Sequence, residues 1–203
     1  MVQPAQSGSK AVWMLVSMDM EATGGPRSHI RELCLNFAGL GYDVTLFAPG
    51  YGGISHASWD LAGVTVRYIP VGRKGLPGAA QFEIRLAKVV RRLLKTCAPA
   101  FIYAREIPAG AWIYSAARRK HVPYWIEKNG MVGNESAGRP VSRLYAAAVH
   151  LSERLAVLHC DGIIAVSTGI RARLLADYHV APEHVAVILN GADEELFAPV
   201  PDR

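Results

Sequence analysis

Cysteine is scarce in this chain, and its positions do not follow the pattern of a disulfide or metal module. The 203 residues include three cysteines, Cys34, Cys97 and Cys160, each in apolar surroundings and far from the others in sequence. Disulfide scaffolds and zinc modules need paired or closely spaced cysteines, so both classes are excluded. We expect all three to be reduced core residues of a cytoplasmic protein that binds no metal.

Long apolar runs and a strong excess of one charge are also lacking. No run approaches the length needed to cross a bilayer, and the first ten residues contain no hydrophobic segment of a signal peptide. We expect residues 1–10 to be a flexible lead-in. The 22 basic and 17 acidic residues give a net charge of +5. This modest excess suits an anionic ligand or a peripheral position on the inner face of a membrane, but it is small for a nucleic-acid-binding protein.

The dinucleotide fingerprint G-x-G-x-x-G is absent as well. The sequence from Gly24 is GGPRSH, which cannot be fitted to that fingerprint, so an NAD-type fold is disfavoured. The glycine pair lies between an apolar run and a helical pattern, and two interpretations of it remain open. The free backbone N–H groups at a helix start can bind an anion such as phosphate, or the glycines can simply permit a tight turn.

Apolar, β-rich segments alternate with helical patterns along the whole chain. This alternation predicts an α/β, Rossmann-like fold: a mostly parallel sheet of about seven strands, with helices on both faces. We expect loops over Pro49–His56 and Val71–Gly78, where glycine and proline are frequent. The predicted strands are Ala11–Ser17, Asp43–Ala48, Val64–Ile69, Ala100–Ala104, Pro123–Glu127, Ile163–Val166 and Val185–Leu189.

Two predicted helices have distinctive faces. Gln81–Thr96 has an apolar side opposite a basic side. That basic side is either a solvated outer surface or a surface for anionic lipid or a polyanionic acceptor. The longest helix, Val141–Cys160, has a regular stripe of leucine and alanine that we expect to pack in the core. The basic residues are Arg85, Lys88, Arg91, Arg92 and Lys95, and the stripe comprises Leu144, Ala147, Ala148, Leu151, Leu155 and Leu158.

Polar residues at the ends of predicted strands are candidates for ligand contacts, because ligands of parallel sheets bind at the carboxyl edge. Arg105 follows the fourth strand and either faces a ligand or forms a salt bridge within a loop. Ser167 and Asn190 follow the sixth and seventh strands. Helix capping by the serine and turn formation by the asparagine explain both residues equally well without a ligand.

Several segments, taken in order, resemble the family-4 glycosyltransferases of the GT-B fold. GGPRSH with Leu33, followed by GYDVT, is similar to the family's glycine pair, its helix with His and Leu, and its G-H/Y-x-V strand. YWIEKNG resembles an E-x-N loop found in some members, and DGIIAVS looks like the D-x-I-I-x-V-S segment. VILNGADEELFAP is similar to the V-I-P-N-G-V-D-x-x-x-F-x-P junction. The resemblance extends from about Val12 to Pro199.

The resemblance implies transfer of a sugar, with retention, from a nucleotide-sugar to a glycan or lipid-linked acceptor, with no metal or cofactor and no nucleic-acid partner. The glycine loop would lie near the donor diphosphate, and Glu127 and Asn129 would border the cleft. Glu127 is the candidate catalytic residue, although many relatives have a histidine there. The candidate substrate-binding residues are Gly24, Gly25, Pro26, His29, Arg105, Glu127, Asn129, Ser167 and Asn190. His29 is a lone histidine on the first helix, and a structural role is the simpler expectation for it.

The family's second domain binds the nucleotide-sugar and contains an acidic E-x7-E segment, neither of which precedes Arg203. We therefore expect residues 11–193 to form the acceptor-side domain and residues 194–203 to begin a linker to a missing C-terminal donor-binding domain. This chain alone would then be inactive. The alternative is a non-catalytic binding or regulatory subunit that pairs with a separate donor-binding domain. An unrelated Rossmann-like binder of small molecules would require the order of motifs to be coincidental.

Overall fold

A single parallel sheet organises the described part of the chain. The computed structural model describes residues 10–20, 24–52, 61–105, 107, 110–130 and 143–191. Its seven strands are arranged in the order β3-β2-β1-β4-β5-β6-β7, and every neighbouring pair is parallel. The predicted fold class is confirmed. The strands are β1 Ala11–Val16, β2 Asp43–Tyr51, β3 Val64–Val71, β4 Phe101–Arg105, β5 Tyr124–Lys128, β6 Gly162–Ala165 and β7 Val185–Val187.

Helices cover both faces of the sheet. From β1 the sheet first grows towards β3 and then, after the crossover to β4, in the other direction. Right-handed crossovers therefore place α1 on one face and the later helices on the other. The buried apolar residues form two separate clusters, as helices on two faces require. One cluster contains Ile30 and Cys34 of α1, and the other contains residues of α2 to α5. The helices are α1 Gly25–Gly39, α2 Leu76–Thr96, α3 Gly110–Arg118, α4 Arg143–His159 and α5 Thr168–Tyr178, with a 3-10 turn at Pro182–His184.

The predicted loop at Pro49–His56 is wrong at its start. Strand β2 continues to Tyr51, and Gly50 pairs with Pro70 of β3, so β3 also continues beyond the predicted stop at Ile69. Proline is tolerated here because β3 is the edge strand of the sheet. Gly50 fits because an added Cβ would lie 3.0 Å from the Cβ of Tyr68. Residues 53–56 of the predicted loop lie outside the described residues.

Helix α2 begins at Leu76, five positions before the predicted start at Gln81. The predicted loop Val71–Gly78 is therefore wrong over its last three residues, and it is also wrong at Val71, the last residue of β3. Proline in the first helical turn is preorganised for a helix, and Pro77 occupies that position. Gly78 has no room for a side chain, because an added Cβ would lie 1.8 Å from the carbonyl oxygen of Arg73. Pro77 and Gly78, which predict a loop from the sequence, therefore lie in the first turn of α2.

The predicted core stripe of the longest helix is wrong. Leu151, Leu155 and Leu158 of α4 are 58%, 39% and 38% exposed, and Ala147 and Ala148 are exposed too. The side chain of Leu144 lies outside the described residues. The opposite side of α4 is buried, and it includes Glu153, Ala156 and Val157. Because α4 is apolar on both sides, periodicity cannot choose between them, and the buried partners of Glu153 decide the orientation.

The prediction for the cysteines holds for two of the three. Cys34 and Cys160 are buried in the core, whereas Cys97 is exposed. Cys97 directly follows the last residue of α2 and is its C-cap, with its amide bonded to the carbonyl of Leu93. The prediction for Cys97 is therefore wrong, because the residue ends a helix at the surface although its sequence neighbours are apolar.

Candidate functional site

A polar cluster lies at the carboxyl edge of the sheet around the carboxylate of Glu127. Glu127 is close to the end of β5, and Arg105 is its partner on β4 in the parallel register. Paired residues on neighbouring strands point to the same face, which is the face covered by α1. The N-terminal part of α1 brings His29 to the same place. The Glu127 side chain is 1% exposed, so its charge is almost fully removed from water.

Glu127 accepts four hydrogen bonds, two at each oxygen. Oε2 lies 2.9 Å from Nε2 of His29 and 2.5 Å from the hydroxyl of Tyr103. Oε1 accepts from Nε of Arg105 at 3.1 Å and from Nδ2 of Asn129 at 2.5 Å. A carboxylate offers about four lone-pair sites, and all of them are used here. The four donors come from α1, β4 and the residue after β5.

These hydrogen bonds keep Glu127 ionised. Burial raises the pKa of Glu127, but hydrogen bonds from His29, Tyr103 and Asn129 lower it by more than burial raises it. The resulting pKa is about 2. Burial and the neighbouring carboxylate raise the pKa of Tyr103, so its hydroxyl remains a donor. An ionised carboxylate whose lone pairs are all occupied is a poor proton acceptor. The geometry suits an anchor that orients the surrounding donors.

Two of those donors have further capacity for a ligand. Arg105 is 11% exposed, and within the described part of the chain it bonds to Glu127 and to the thioether sulfur of Met18, 3.6 Å from Nη1. Guanidinium carries five N–H donors, so several remain for an anion or a hydroxyl. His29 is 26% exposed. Within the described residues its recorded hydrogen bond is the one to Glu127, which leaves the second ring nitrogen available.

The glycine pair has fewer free backbone N–H groups around it than the sequence suggests. Gly24 has a φ of +133° and is the N-cap of α1, which has no side-chain cap and no acidic residue in its first turn. Pro26 has no N–H, and the amide of Arg27 bonds to the carbonyl of Gly24 at 3.1 Å. Pro26 and Arg27 therefore offer no free amide to a ligand, which leaves Gly25 as the candidate among the first three helical positions, and anion binding there stays a prediction.

Ser167 and Asn190 are not part of the Glu127 cluster in the described structure. The hydroxyl of Ser167 accepts a hydrogen bond from the amide of Ile170 at 3.1 Å and caps α5. Asn190 is exposed and lies beyond the end of β7. Both residues are at the carboxyl edge, as expected from their strands. The capping interpretation explains Ser167, and ligand binding by either residue stays a prediction.

Sequence reasoning missed Tyr103 and a second buried network. On the opposite face from Glu127, Nζ of Lys128 lies 2.5 Å from Oε1 of Glu153, whose Oε2 accepts from the hydroxyl of Tyr178 at 3.0 Å. All three residues are buried. Two signals could have pointed to this network: a lysine next to the strand-end glutamate, and an acidic residue inside a leucine-rich helix.

The described residues contain neither a candidate metal site nor a helix that could span a membrane. Within the described ranges, no group of three or more His, Cys, Asp or Glu side chains is arranged to hold a metal ion. In the same ranges, no helix combines the length and apolarity needed to span a membrane. The expectation that no metal or cofactor takes part stays a prediction.

Comparison with known families identifies the chain. The model of Glycosyltransferase Family 4 matches residues 23–196. The chain belongs to glycosyltransferase family 4. The matched range includes the glycine pair, the Glu127 cluster and the Asn190 turn, so the family assignment covers the whole candidate site. No curated protein matches this family-4 chain.

Solved structures share the fold at low sequence identity. A glycosyltransferase from Rickettsia africae is 16% identical with a TM-score of 0.64, and the match covers 96% of this chain and 46% of that one. Sucrose-phosphate synthase from Thermosynechococcus elongatus is 13% identical with a TM-score of 0.68, covering 94% and 50%. HepE from Anabaena, solved with UDP and glucose, is 17% identical with a TM-score of 0.63, covering 96% and 48%. The family-4 chain therefore spans about half the length of these proteins.

Proposed function

We propose that this chain is the acceptor-side half of a retaining glycosyltransferase that moves a sugar from a nucleotide-sugar to a glycan or lipid-linked acceptor. The observation that carries the proposal is the Glu127 cluster, which gathers oriented donors from three elements at the carboxyl edge of the sheet. Ligands of open α/β sheets bind at this edge. The family assignment supplies the reaction class.

The lengths of similar proteins support a half-enzyme. The chain spans about half of each similar structure, and HepE was solved with UDP-glucose. We infer that a second domain supplies most of the nucleotide-sugar site, and that this chain alone transfers little or no sugar. The nucleotide-sugar is then a co-substrate, with no cofactor or metal required.

Each residue of the cluster receives a role from its geometry. Glu127 is the anchor, because its lone pairs are filled and its pKa is low. Arg105 and the amide of Gly25 face negative charge, such as the donor diphosphate, across the cleft. His29 and Asn129 present polar groups to acceptor hydroxyls, and Glu127 fixes their orientation. The chemistry lies in positioning an acceptor hydroxyl beside the donor sugar.

The experiment titrates this chain and the full native gene product with UDP-glucose by calorimetry and follows UDP release by both. We expect this chain to show neither tight binding nor UDP release, and the full product to show both. In the full product, Asn129→Ala should raise the KM for acceptor at an unchanged donor Kd, whereas the matched surface variant Asn36→Ala should change neither. Transfer by this chain at the rate of the full product would refute the proposal.

A further inference from the structure

Helix α2 presents a basic face directed away from the sheet. Its opposite side packs in the core through Phe82, Leu86 and Val90. At 100° per residue, the basic positions lie on the other side of the helix, and every one of them is exposed. The basic face consists of Arg85, Lys88, Arg91, Arg92 and Lys95.

The neighbouring helices extend this cationic surface. Helix α3 packs between α2 and α4 on the same side of the sheet. It ends in exposed Arg118, followed by exposed Arg119 and Lys120, and α4 contributes exposed Arg154. The acidic residues of α2, α3 and α4 are Glu83 and Glu153, and both are buried. Along these three helices the outer surface therefore carries cations without an exposed carboxylate.

Apolar side chains lie on the same outer surface. Leu151, Leu155 and Leu158 form what we call the leucine stripe, opposite the buried side of α4. Trp112 on α3 is more than half exposed. Partly exposed leucines and an indole beside basic residues are the composition of interfacial segments that insert into the headgroup region of a bilayer. A stripe of large exposed apolar side chains on a stable helix otherwise has a cost in solubility.

We propose that the outer surface of α2, α3 and α4 docks on a membrane that contains anionic phospholipid. The basic face binds the headgroups, and the leucine stripe and Trp112 enter the interface. A second copy of the chain fits this surface less well, because pairing would bring its cations together. The proposal does not depend on sugar transfer, so its failure would leave the proposed function unaffected.

The strength of membrane binding expected from this surface is measurable. A basic residue close to an anionic leaflet strengthens binding by about fivefold. Replacing two of them with glutamate should therefore weaken binding by at least about 20-fold, and added salt should weaken binding of the natural sequence by screening. The leucine stripe adds a contribution that salt does not screen.

The test is flotation of the chain with vesicles of phosphatidylcholine alone and of an equimolar mixture with phosphatidylglycerol. Binding is expected with the mixed vesicles and not with the neutral ones. The variant Arg91→Glu with Lys95→Glu should lose at least about 20-fold in partitioning. The charge-matched control, Lys10→Glu with Arg31→Glu, alters residues outside these helices and should lose less than about threefold.

A second variant set tests the apolar part. Leu151→Ser, Leu155→Ser and Leu158→Ser together change exposed positions, so the fold should be retained, as circular dichroism would check. This triple variant should bind mixed vesicles several-fold more weakly, with the same dependence on salt. Sedimentation velocity of the natural sequence without vesicles measures self-association in parallel.

Several results would overturn the proposal. One is equal loss of vesicle binding in the charge-matched control, and another is equal binding to neutral vesicles. Unchanged vesicle binding by the leucine variant, together with loss of a dimer, would assign the stripe to self-association. Heparin binding that requires Arg91 and Lys95, without vesicle binding, would assign the basic face to a soluble polyanion.

Discussion

Nε2 of His29 lies 2.9 Å from Oε2 of Glu127, although 98 positions separate the two residues. This contact joins the N-terminal part of α1 to the end of β5 at the carboxyl edge of the sheet. Through Glu127 it also connects Tyr103, Arg105 and Asn129. A loss at this one carboxylate therefore affects three elements together.

Replacing Glu127 with glutamine should destabilise the chain by about 3 kcal/mol, because charge-assisted hydrogen bonds are lost and an amide nitrogen faces buried donors. Urea unfolding at neutral pH measures this change. The control is Glu32→Gln on α1, an exposed residue paired with Arg31, which should alter stability by less than about 0.5 kcal/mol. Equal effects of both variants would show that the cluster is not an anchor.

The low pKa of Glu127 makes a pH-dependent contribution to stability. Its pKa is about 2 in the folded chain, against 4.5 as the ordinary value. A depressed carboxyl pKa stabilises the folded state above the unfolded value, and that contribution is lost as the pH falls through the folded value. We expect about 3 kcal/mol to be lost between about pH 5 and pH 2. The unfolding free energy should fall less steeply with decreasing pH for Glu127→Gln than for the natural sequence. Parallel curves of unfolding free energy against pH would contradict the low pKa assigned to Glu127.

Replacing Lys128 with methionine should destabilise the chain by about 3–5 kcal/mol, because Glu153 would keep a buried charge without its cation. The exposed pair of Arg173 with Asp177 on α5 provides a matched control. Arg173→Met should cost less than about 1 kcal/mol. Thermal unfolding compares the two variants, and a small effect of Lys128→Met would mean that the pair is hydrated in solution.

The thiols should differ in reactivity. Burial raises the pKa of Cys34 and of Cys160 to about 12 in each case, so neither forms thiolate at neutral pH. Cys97 is exposed. A thiol reagent should therefore modify Cys97 rapidly in the folded chain and all three cysteines after unfolding. Cys97→Ser should abolish the rapid phase, and a remaining rapid phase would show that a core cysteine is accessible.

The fold was predictable because every strand of the sheet is marked by a local apolar run, and parallel pairing buries such runs on both faces. Positions where the local sequence pattern is compatible with two structures were not predictable. Glycine and proline at Gly75 and Pro77 predicted a loop but start α2. The leucines of α4 predicted a core face, but Lys128, distant in sequence, pairs with Glu153 and turns that side inward.

The site was predictable only as a set of strand ends. Parallel strands place Arg105 and Glu127 at one edge whatever the sequence between them. The hydrogen bonds depend on which face each side chain occupies and on how far along the edge it lies. Tyr103 is two residues before Arg105 on the same face, and it was missed because a tyrosine in a buried strand is ordinarily a core residue.

The intact mass of the native gene product in its own cell tests most directly whether this chain is one half of a two-domain enzyme. We predict a mass of about twice 22.0 kDa, because this chain spans about half of the similar structures and the proposed function assigns most of the donor site to a second domain. A native mass of 22.0 kDa would contradict the half-enzyme and favour a binding subunit that pairs with a separate donor-binding domain.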